Sequence, residues 1–257
     1  MIYDVFVKYR YLLNLLIKRD LSKMYKRSFL GYLWTVLNPL GIMLVLVMVF
    51  KNLFKVDIEH FPAYLISAQI IFDFFSVSTS QALAATVGNA SLLKKTNVPK
   101  SLFVVASVSG KMVNCVFSLA ALFFVMLFTG VPFTPYLLLI PIVLVQIYLF
   151  ALGVSLFLSQ LYIFFRDIQY LYSVLITAWL YISAVFYPVE DLTGVAKVFI
   201  TQINPLYYYI YQFRCLVLYQ KIPEGIYIVG GIGFAVLSII IGKYYFDKSS
   251  NKFMLYI

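Results

Sequence analysis

The chain has 257 residues, of which 63% are hydrophobic and only 12% are charged, and its mean hydropathy is +0.93. A soluble domain is about half apolar and about a quarter charged, so the composition excludes an ordinary soluble protein and indicates an integral membrane protein. The formal charge of +10 would suggest nucleic acid as the partner of a soluble chain. In a membrane protein, cationic loops on one membrane face explain it better, and no nucleic-acid partner is expected.

The N-terminal residues 3–19 are predicted to form an amphipathic helix. Their apolar positions follow helical spacing, but charges at Lys8, Arg10, Lys18 and Arg19 make the stretch too polar to cross a bilayer. No uninterrupted apolar run with a small-residue cleavage site is present in residues 1–33, so a cleavable signal is not expected. We predict an interfacial helix that leads into the first span; the alternative is an ordinary amphipathic helix packed on protein.

Six stretches are long and apolar enough to cross a membrane, which requires about 20 residues. They are about 34–54, 62–88, 102–129, 136–161, 168–187 and 223–244. The sequence therefore predicts an all-α integral membrane protein that forms one membrane domain over residues 1–257.

The distribution of Lys and Arg predicts the orientation of these spans. With the N-terminus in the cytoplasm, fourteen of the 20 cations fall on the inside, five fall on the outside and Lys111 lies within a span. Because cytoplasmic loops carry the excess of positive charge, both termini are predicted to be cytoplasmic.

Residues 188–221 differ from the other connections, because two helix-length pieces meet at Asn204-Pro205. The pieces are about 12 and 15 residues long, which is too short for either to span alone, and proline interrupts helical backbone. Counting the pair as one extra span would move the C-terminus outside. A re-entrant or outer-leaflet helical hairpin is therefore predicted, with irregular backbone of the kind tolerated beside a cavity.

Motifs for catalysis are absent from the sequence. Gly110-Lys111 is followed by Met112 and lacks the first glycine of a phosphate-binding loop, and no HExxH or paired-carboxylate motif occurs. We expect neither enzymatic activity nor a bound cofactor or metal in this chain.

Aromatic residues are abundant, with 22 Tyr, 24 Phe and 2 Trp. In the fifth predicted span, Phe165, Tyr172, Trp179 and Phe186 recur every seven residues, which is nearly two helical turns. On one continuous helix this stripe would run about 32 Å. It indicates either helix packing or a pathway that stacks flat ligands such as sugar rings.

Two further features carry charge. Asp73 and Lys111 are ionisable residues within predicted spans, which favours either a functional role or structural pairing. The loop "NASLLKKTNVPKS" at 89–101 is either a solvated cytoplasmic loop or a short helix that docks a cytoplasmic partner.

Four segments, in order, resemble ABC-2-type permeases, specifically the exporters of O-antigen, teichoic acid and capsule. They are "RDLSKMYKRSFLGYLWTVLNPL", "LLKKTNVPKSLF", "FFRDIQYLYSVLITAWLYISAVFYP" and "INPLYYYIYQFRCLVL". The aromatic content and the chain length favour the O-antigen exporters within this group. Members often carry Phe-Pro-Arg where this chain has Val98-Pro99-Lys100.

The resemblance implies a transmembrane subunit that forms a homodimer and binds two copies of a cytoplasmic ATPase, which would hold ATP and Mg. It implies export of a polyprenyl-pyrophosphate-linked glycan across the bacterial inner membrane. It also implies an interfacial N-terminal helix, a coupling loop after the second span, and a hairpin that caps the outer pore.

Under this hypothesis we assign expected roles to four groups of residues. Ring stacking along the channel is assigned to Trp34, Tyr172, Trp179, Phe186 and Tyr187. Coupling to the ATPase is assigned to Lys94, Lys95, Thr96, Asn97, Val98, Pro99 and Lys100. Attraction of the lipid pyrophosphate and the anionic leaflet is assigned to Arg10, Lys18, Arg19, Lys23, Lys26 and Arg27. The outer hairpin is marked by Asn204, Pro205 and Arg214.

Two alternatives remain open at this stage. One is an ABC-2 exporter of drugs or small lipids, and the other is an ion-coupled secondary transporter centred on Asp73 and Lys111. A polyprenyl glycosyltransferase is disfavoured because no carboxylate cluster is present.

Overall fold

The computed structural model describes residues 7–25, 30–52, 58–96 and 98–249, and within these ranges every regular element is a helix. The α-helices are α1 (Arg10–Tyr25), α2 (Trp34–Asn52), α3 (Phe61–Gly88), α4 (Ala90–Lys95), α5 (Ser101–Thr129), α6 (Ile140–Phe164), α7 (Ile168–Ile182), α8 (Gly194–Val198), α9 (Pro205–Val217) and α10 (Gly225–Ser249). Turns of 3-10 helix lie at Gly31–Leu33, Pro135–Leu139 and Val189–Asp191, and one π-helical turn follows α8 at Phe199–Ile203.

Five helical segments in the described ranges are long and apolar enough to cross a membrane. They are Gly31–Lys51, Phe61–Gly88, Ser101–Thr129, Pro135–Phe164 and Gly225–Lys248. Each exceeds the roughly 20 residues that a bilayer requires, and each coincides with a span predicted from hydropathy. The structure thus confirms the all-helical, integral membrane class.

The fifth predicted span differs from the prediction. The stretch 168–187 is helical only over Ile168–Ile182, which is 15 residues, or about 22 Å at helical rise. Residues 183–187, named here the exit segment, leave the helix, and Ala184 takes a φ of 51°. The expectation of one uninterrupted helix through residue 187 is therefore wrong, and the cause lies in contacts described below.

The N-terminal helix α1 packs on the protein with one face. Leu13 and Leu16 are buried in the main core, and α1 lies against α5. The charged side chains of Arg10, Lys18 and Lys23 are exposed. The helix extends six residues beyond the predicted end at 19, and residues 3–6 of the predicted helix lie outside the described part.

Helices α6 and α10 form the closest helix pair, because small residues line their contact. A Cβ atom at Gly242 would lie 2.2 Å from the carbonyl oxygen of Gly153, and one at Gly153 would lie 2.3 Å from the backbone carbon of Ser238. Ser238 also donates a hydrogen bond to the carbonyl of Phe150. In a membrane, where apolar burial drives helix association little, such close backbone approach supplies the packing energy.

A methyl group at Gly242 should separate these helices. We expect Gly242→Ala to destabilise the protein by about 1–3 kcal/mol, the usual cost of overpacking, because its Cβ meets rigid backbone. Gly233→Ala is the matched control, since it adds the same methyl to the same helix and meets nothing within 4 Å. Thermal unfolding of the two variants in detergent compares them, and equal midpoints would contradict the packing account.

Candidate functional site

The exit segment after α7 is held by side chains from three distant elements. Helix ends leave backbone carbonyls without helical partners, and here four of them accept hydrogen bonds from distant side chains. Asn204 donates to the carbonyl of Ile182 at 3.1 Å, and Arg214 donates to those of Ala184 and Val185 at 2.9 and 3.0 Å. The Tyr64 hydroxyl donates to the carbonyl of Tyr187 at 2.8 Å. These bonds stabilise the non-helical backbone before Pro188, which itself lacks an N–H for the carbonyl of Ala184 and disfavours helix at the residue before it.

Asn204 joins the end of one helix to the start of another. Its carboxamide oxygen accepts the indole N–H of Trp179 at 2.8 Å and the backbone N–H of Leu206 at 3.0 Å, so it caps α9. Its amide nitrogen donates to Ser183 Oγ as well as to Ile182. The predicted break at Asn204-Pro205 thus lies where α7 ends and α9 begins, with Pro205 at the first position of α9.

Arg214 is the buried charge of this region, with only 3% of its surface exposed. Its guanidinium lies over the ring of Tyr64, 3.5 Å from the ring centroid, in addition to its two bonds to the exit segment. Desolvating a cation is costly unless it is paired and hydrogen-bonded, and here backbone carbonyls and an aromatic face do the pairing.

Tyr64 was not predicted as a site residue. It lies 150 positions from Arg214 in the sequence, near the start of a span where interfacial aromatics are common. No local pattern distinguishes it from those aromatics.

The five residues predicted to stack sugar rings lie in different environments. Tyr172 is buried and donates to Thr79 Oγ1 at 2.6 Å, while Trp179 contacts Phe75 edge-on at 5.4 Å. Phe186 is buried and stacks on Phe50 at 5.4 Å, and the Tyr187 hydroxyl donates to the carbonyl of Tyr181. Only Trp34 is substantially exposed, at 49%.

The aromatic stripe is therefore not one continuous surface. Phe165 precedes α7 and Phe186 follows it, so only Tyr172 and Trp179 share the helix. The side of α7 that carries these two packs against α3. The expectation of a helical stripe running the full depth of the membrane is wrong.

The opposite side of α7 is exposed and carries hydroxyl groups. Tyr170, Ser173, Thr177 and Tyr181 recur at spacings of three and four residues, and all four are exposed. Ser173 and Thr177 donate to backbone carbonyls of their own helix. We name these four residues the hydroxyl face of α7; the seven-residue period in the sequence did not reveal it.

The predicted coupling loop contains the short helix α4. Leu93 anchors it in the core, whereas Lys94, Lys95 and Thr96 are exposed at its end. Thr96 donates to the carbonyl of Leu92, which closes the helix.

The rest of the loop leads into α5. Val98 and Pro99 are half-buried. Partial burial lowers the pKa of the Lys100 ammonium, which precedes α5. Asn97 lies outside the described residues.

One cation of the N-terminal cluster connects α1 to the coupling region. Arg19 donates to Asn89 Oδ1 at 3.0 Å and to its neighbour Asp20 at 2.9 Å. Asn89 is the residue immediately before α4 and also donates to the carbonyl of Ala85. Of the other cations, Arg10, Lys18 and Lys23 are exposed, and Lys26 and Arg27 lie outside the described ranges.

Asp73 and Lys111 line the same groove, which is formed by α2, α3 and α5 and measures about 600 Å³. Trp34, Asn38 and Asn114 also line it. Within the described ranges, no three His, Cys, Asp or Glu side chains come together to hold a metal ion.

Comparison with known proteins identifies the family. Residues 11–218 match the family described as ABC-2 type transporter. The chain belongs to the ABC-2 transporter family. The matched range of this ABC-2 chain runs from the start of α1 to the residue after α9, and so includes both the exit segment and its supports.

Named relatives share most of the ABC-2 chain. It is 28% identical to the O-antigen export system permease protein RfbA of Myxococcus xanthus over 85% of this chain and 84% of that protein. Two proteins of the same name from Klebsiella pneumoniae are each 28% identical, and each match covers 95% of both chains.

Replacing Arg214 should loosen the exit segment. Arg214→Ala leaves two buried carbonyls without donors, and each unsatisfied carbonyl costs about 1–3 kcal/mol of folding free energy. Arg214→Lys keeps the positive charge but loses the planar guanidinium that can donate to both carbonyls at once. We expect both variants to lower the unfolding midpoint in detergent by about 5 °C or more. Lys197→Ala, which removes an exposed cation from the same hairpin, should leave it unchanged. A midpoint for Arg214→Ala equal to that of the parent would contradict the account.

Proposed function

We propose that the ABC-2 chain is the transmembrane subunit of an ATP-driven exporter that moves a polyprenyl-pyrophosphate-linked glycan out of the cytoplasm. The observation that carries this proposal is the family match over residues 11–218 together with the near full-length similarity to O-antigen export permeases. Two copies would form the channel in the bacterial inner membrane. Two cytoplasmic ATPase subunits would hold ATP and Mg and supply the energy.

The proposed topology has six crossings and cytoplasmic termini, as the distribution of Lys and Arg favours. α7 would be the sixth crossing. Its 15 helical residues reach about 22 Å, so the exit segment completes the passage through a bilayer core of about 30 Å. α8 and α9 would then form the outer hairpin, and the non-helical exit segment that leads into it is largely buried in protein, as membrane depth requires.

We assign the channel lining to the hydroxyl face of α7 and to Trp34. Lipid tails offer no partners to the phenolic hydroxyls of Tyr170 and Tyr181, whereas a channel that carries sugars does, and the exposed rings of these tyrosines supply stacking surfaces with little loss of entropy. The other four residues predicted to stack sugar rings would instead act as positioning residues behind this lining, because their contacts lie within the chain. They are Tyr172, Trp179, Phe186 and Tyr187.

Coupling to ATP hydrolysis is assigned to α4. The exposed Lys94 and Lys95 would meet the ATPase, and displacement of α4 would reach α1 through the bond between Asn89 and Arg19. The exposed cations of α1 would attract anionic headgroups, at about 1 kcal/mol for each Lys or Arg near the surface.

The family match favours this mechanism over ion-coupled secondary transport centred on Asp73 and Lys111. The proposal is tested by co-expressing the chain with a candidate ATPase subunit from the same organism, purifying the complex and measuring ATP hydrolysis with and without lipid-linked glycan. We expect a stable complex whose hydrolysis rises with the glycan. Absence of a complex, or export without ATP, would overturn the proposal, and equal stimulation by sugar-free lipids would favour the drug or small-lipid exporter.

Removing rings from the hydroxyl face should slow export. We expect Tyr170→Ala and Tyr181→Ala each to reduce surface glycan about 2–10-fold, the range given by about 0.5–1.5 kcal/mol per aromatic contact. Tyr244→Ala is the control, because Tyr244 is 59% exposed on α10 and Tyr181 is 61% exposed. Cell-surface glycan is quantified at equal membrane abundance of the variants, and an equal loss in the control would refute the assignment of this face.

A further inference from the structure

Three cavities lie next to one another between α1, α2, α3 and α5. A cavity of about 390 Å³ begins at Arg19 and Lys23, and it shares the lining residues Asp20, Lys23, Gln81 and Ser107 with a second of about 220 Å³. The second shares Lys111 with the groove of about 600 Å³ that holds Asp73 and Trp34. We name this series of cavities the polar furrow.

The furrow carries polar groups deep into the spans. Asp73 lies twelve residues from the start of α3, and Lys111 lies ten residues from the start of α5, which places them about 18 and 15 Å along their helices. Ionisable groups at such depth are costly in lipid and face water, polar partners or a substrate path. The furrow therefore provides a polar route from the exposed cations of α1 towards the middle of the membrane.

The groove of about 600 Å³ that holds Asp73 and Trp34, named here the inner groove, combines side chains suited to a sugar. Asp73 offers carboxylate oxygens to hydroxyl donors, Asn38 offers both a donor and an acceptor, and the half-exposed indole of Trp34 offers an apolar face. Its volume lies within the about 300–1,000 Å³ of small-molecule sites. We propose that the inner groove binds a saccharide ring of the exported glycan, an inference that rests on the proposed function.

The arrangement of charge favours a sugar over a lipid headgroup as the occupant. Cations, which suit phosphate, stand at the end nearest α1, where the half-buried Arg19, paired with Asp20, and the exposed Lys23 line the first cavity. The inner groove instead places one carboxylate and one ammonium among amides, an indole and apolar side chains such as Ile42 and Phe74, so it offers no excess of positive charge to an anionic headgroup. The phosphates of a glycan lipid would remain near the cations while its sugar occupies the inner groove.

Variants of the groove distinguish a loss of sugar contacts from general damage to the folded protein. Trp34→Ala removes the ring, Trp34→Phe retains an aromatic face, and Asp73→Asn keeps the shape but removes the charge. Phe124→Ala is the matched control, because Phe124 is 50% exposed on α5 and does not line the furrow. In the complex with its ATPase, we expect Trp34→Ala and Asp73→Asn to reduce glycan-stimulated ATP hydrolysis about fivefold to tenfold, the range of one stacked ring or one lost charge-assisted bond. Trp34→Phe should retain most of it.

Binding is read directly from fluorescence, because the chain has only two tryptophans. The difference in emission between the parent and Trp34→Phe complexes in phospholipid nanodiscs isolates the signal of Trp34. The probes are the purified polyprenyl-pyrophosphate glycan, sugar-free polyprenyl pyrophosphate, and phosphatidylethanolamine or phosphatidylglycerol as the added lipid. We expect the glycan lipid alone to shift the emission of Trp34 and to protect it from an aqueous quencher.

Each result decides for or against the sugar site. A shift and protection that require the sugar, with the expected loss in Trp34→Ala and Asp73→Asn, support it. The same signal from sugar-free polyprenyl pyrophosphate or phospholipid shows a headgroup site and overturns it. If the parent complex exports glycan while Trp34→Ala and Asp73→Asn match Phe124→Ala, the groove assignment fails and the proposed function stands. If the parent complex neither assembles nor responds to glycan, both fail.

Discussion

The buried guanidinium of Arg214 is the interaction on which the outer half of the fold depends. A desolvated cation must find several strong acceptors, and Arg214 finds them in the carbonyls of the exit segment and the ring of Tyr64. α7 ends at Ile182, and Pro188 has no N–H that could bond the carbonyl of Ala184 in a helix, so Arg214 supplies that carbonyl with the donor it would otherwise lack. One charge thus joins α9 to the exit segment and to the start of α3.

Hydropathy and proline placement were sufficient for much of this architecture. Five spans and the break at Asn204-Pro205 follow from features that lie within about 20 residues, so a linear sequence displays them. The contacts of the exit segment do not follow in this way. Pro188 is a local signal that α7 ends nearby, but the donor to the carbonyls of Ala184 and Val185 is Arg214, 29 or 30 positions away.

The same limit applies to the aromatic residues. A seven-residue period correctly places Tyr172 and Trp179 on one face of α7, but a period does not say whether that face meets protein or water. The structure buries it through Thr79 and Phe75, and leaves the hydroxyl face open. Burial is a property of neighbours that are distant in the chain, which is why the sequence did not reveal Tyr64 or the hydroxyl face.

The backbone contact between Gly153 and Gly242 has a consequence for biosynthesis. About ninety residues separate the two glycines, so at roughly 5–20 residues per second α6 leaves the ribosome several seconds before its partner. During that interval the surface of α6 at Gly153 contacts lipid or another helix. α10 therefore joins its partner α6 only after α6 has been made, and a chain that stops short of α10 leaves the backbone contact at Gly153 unfilled.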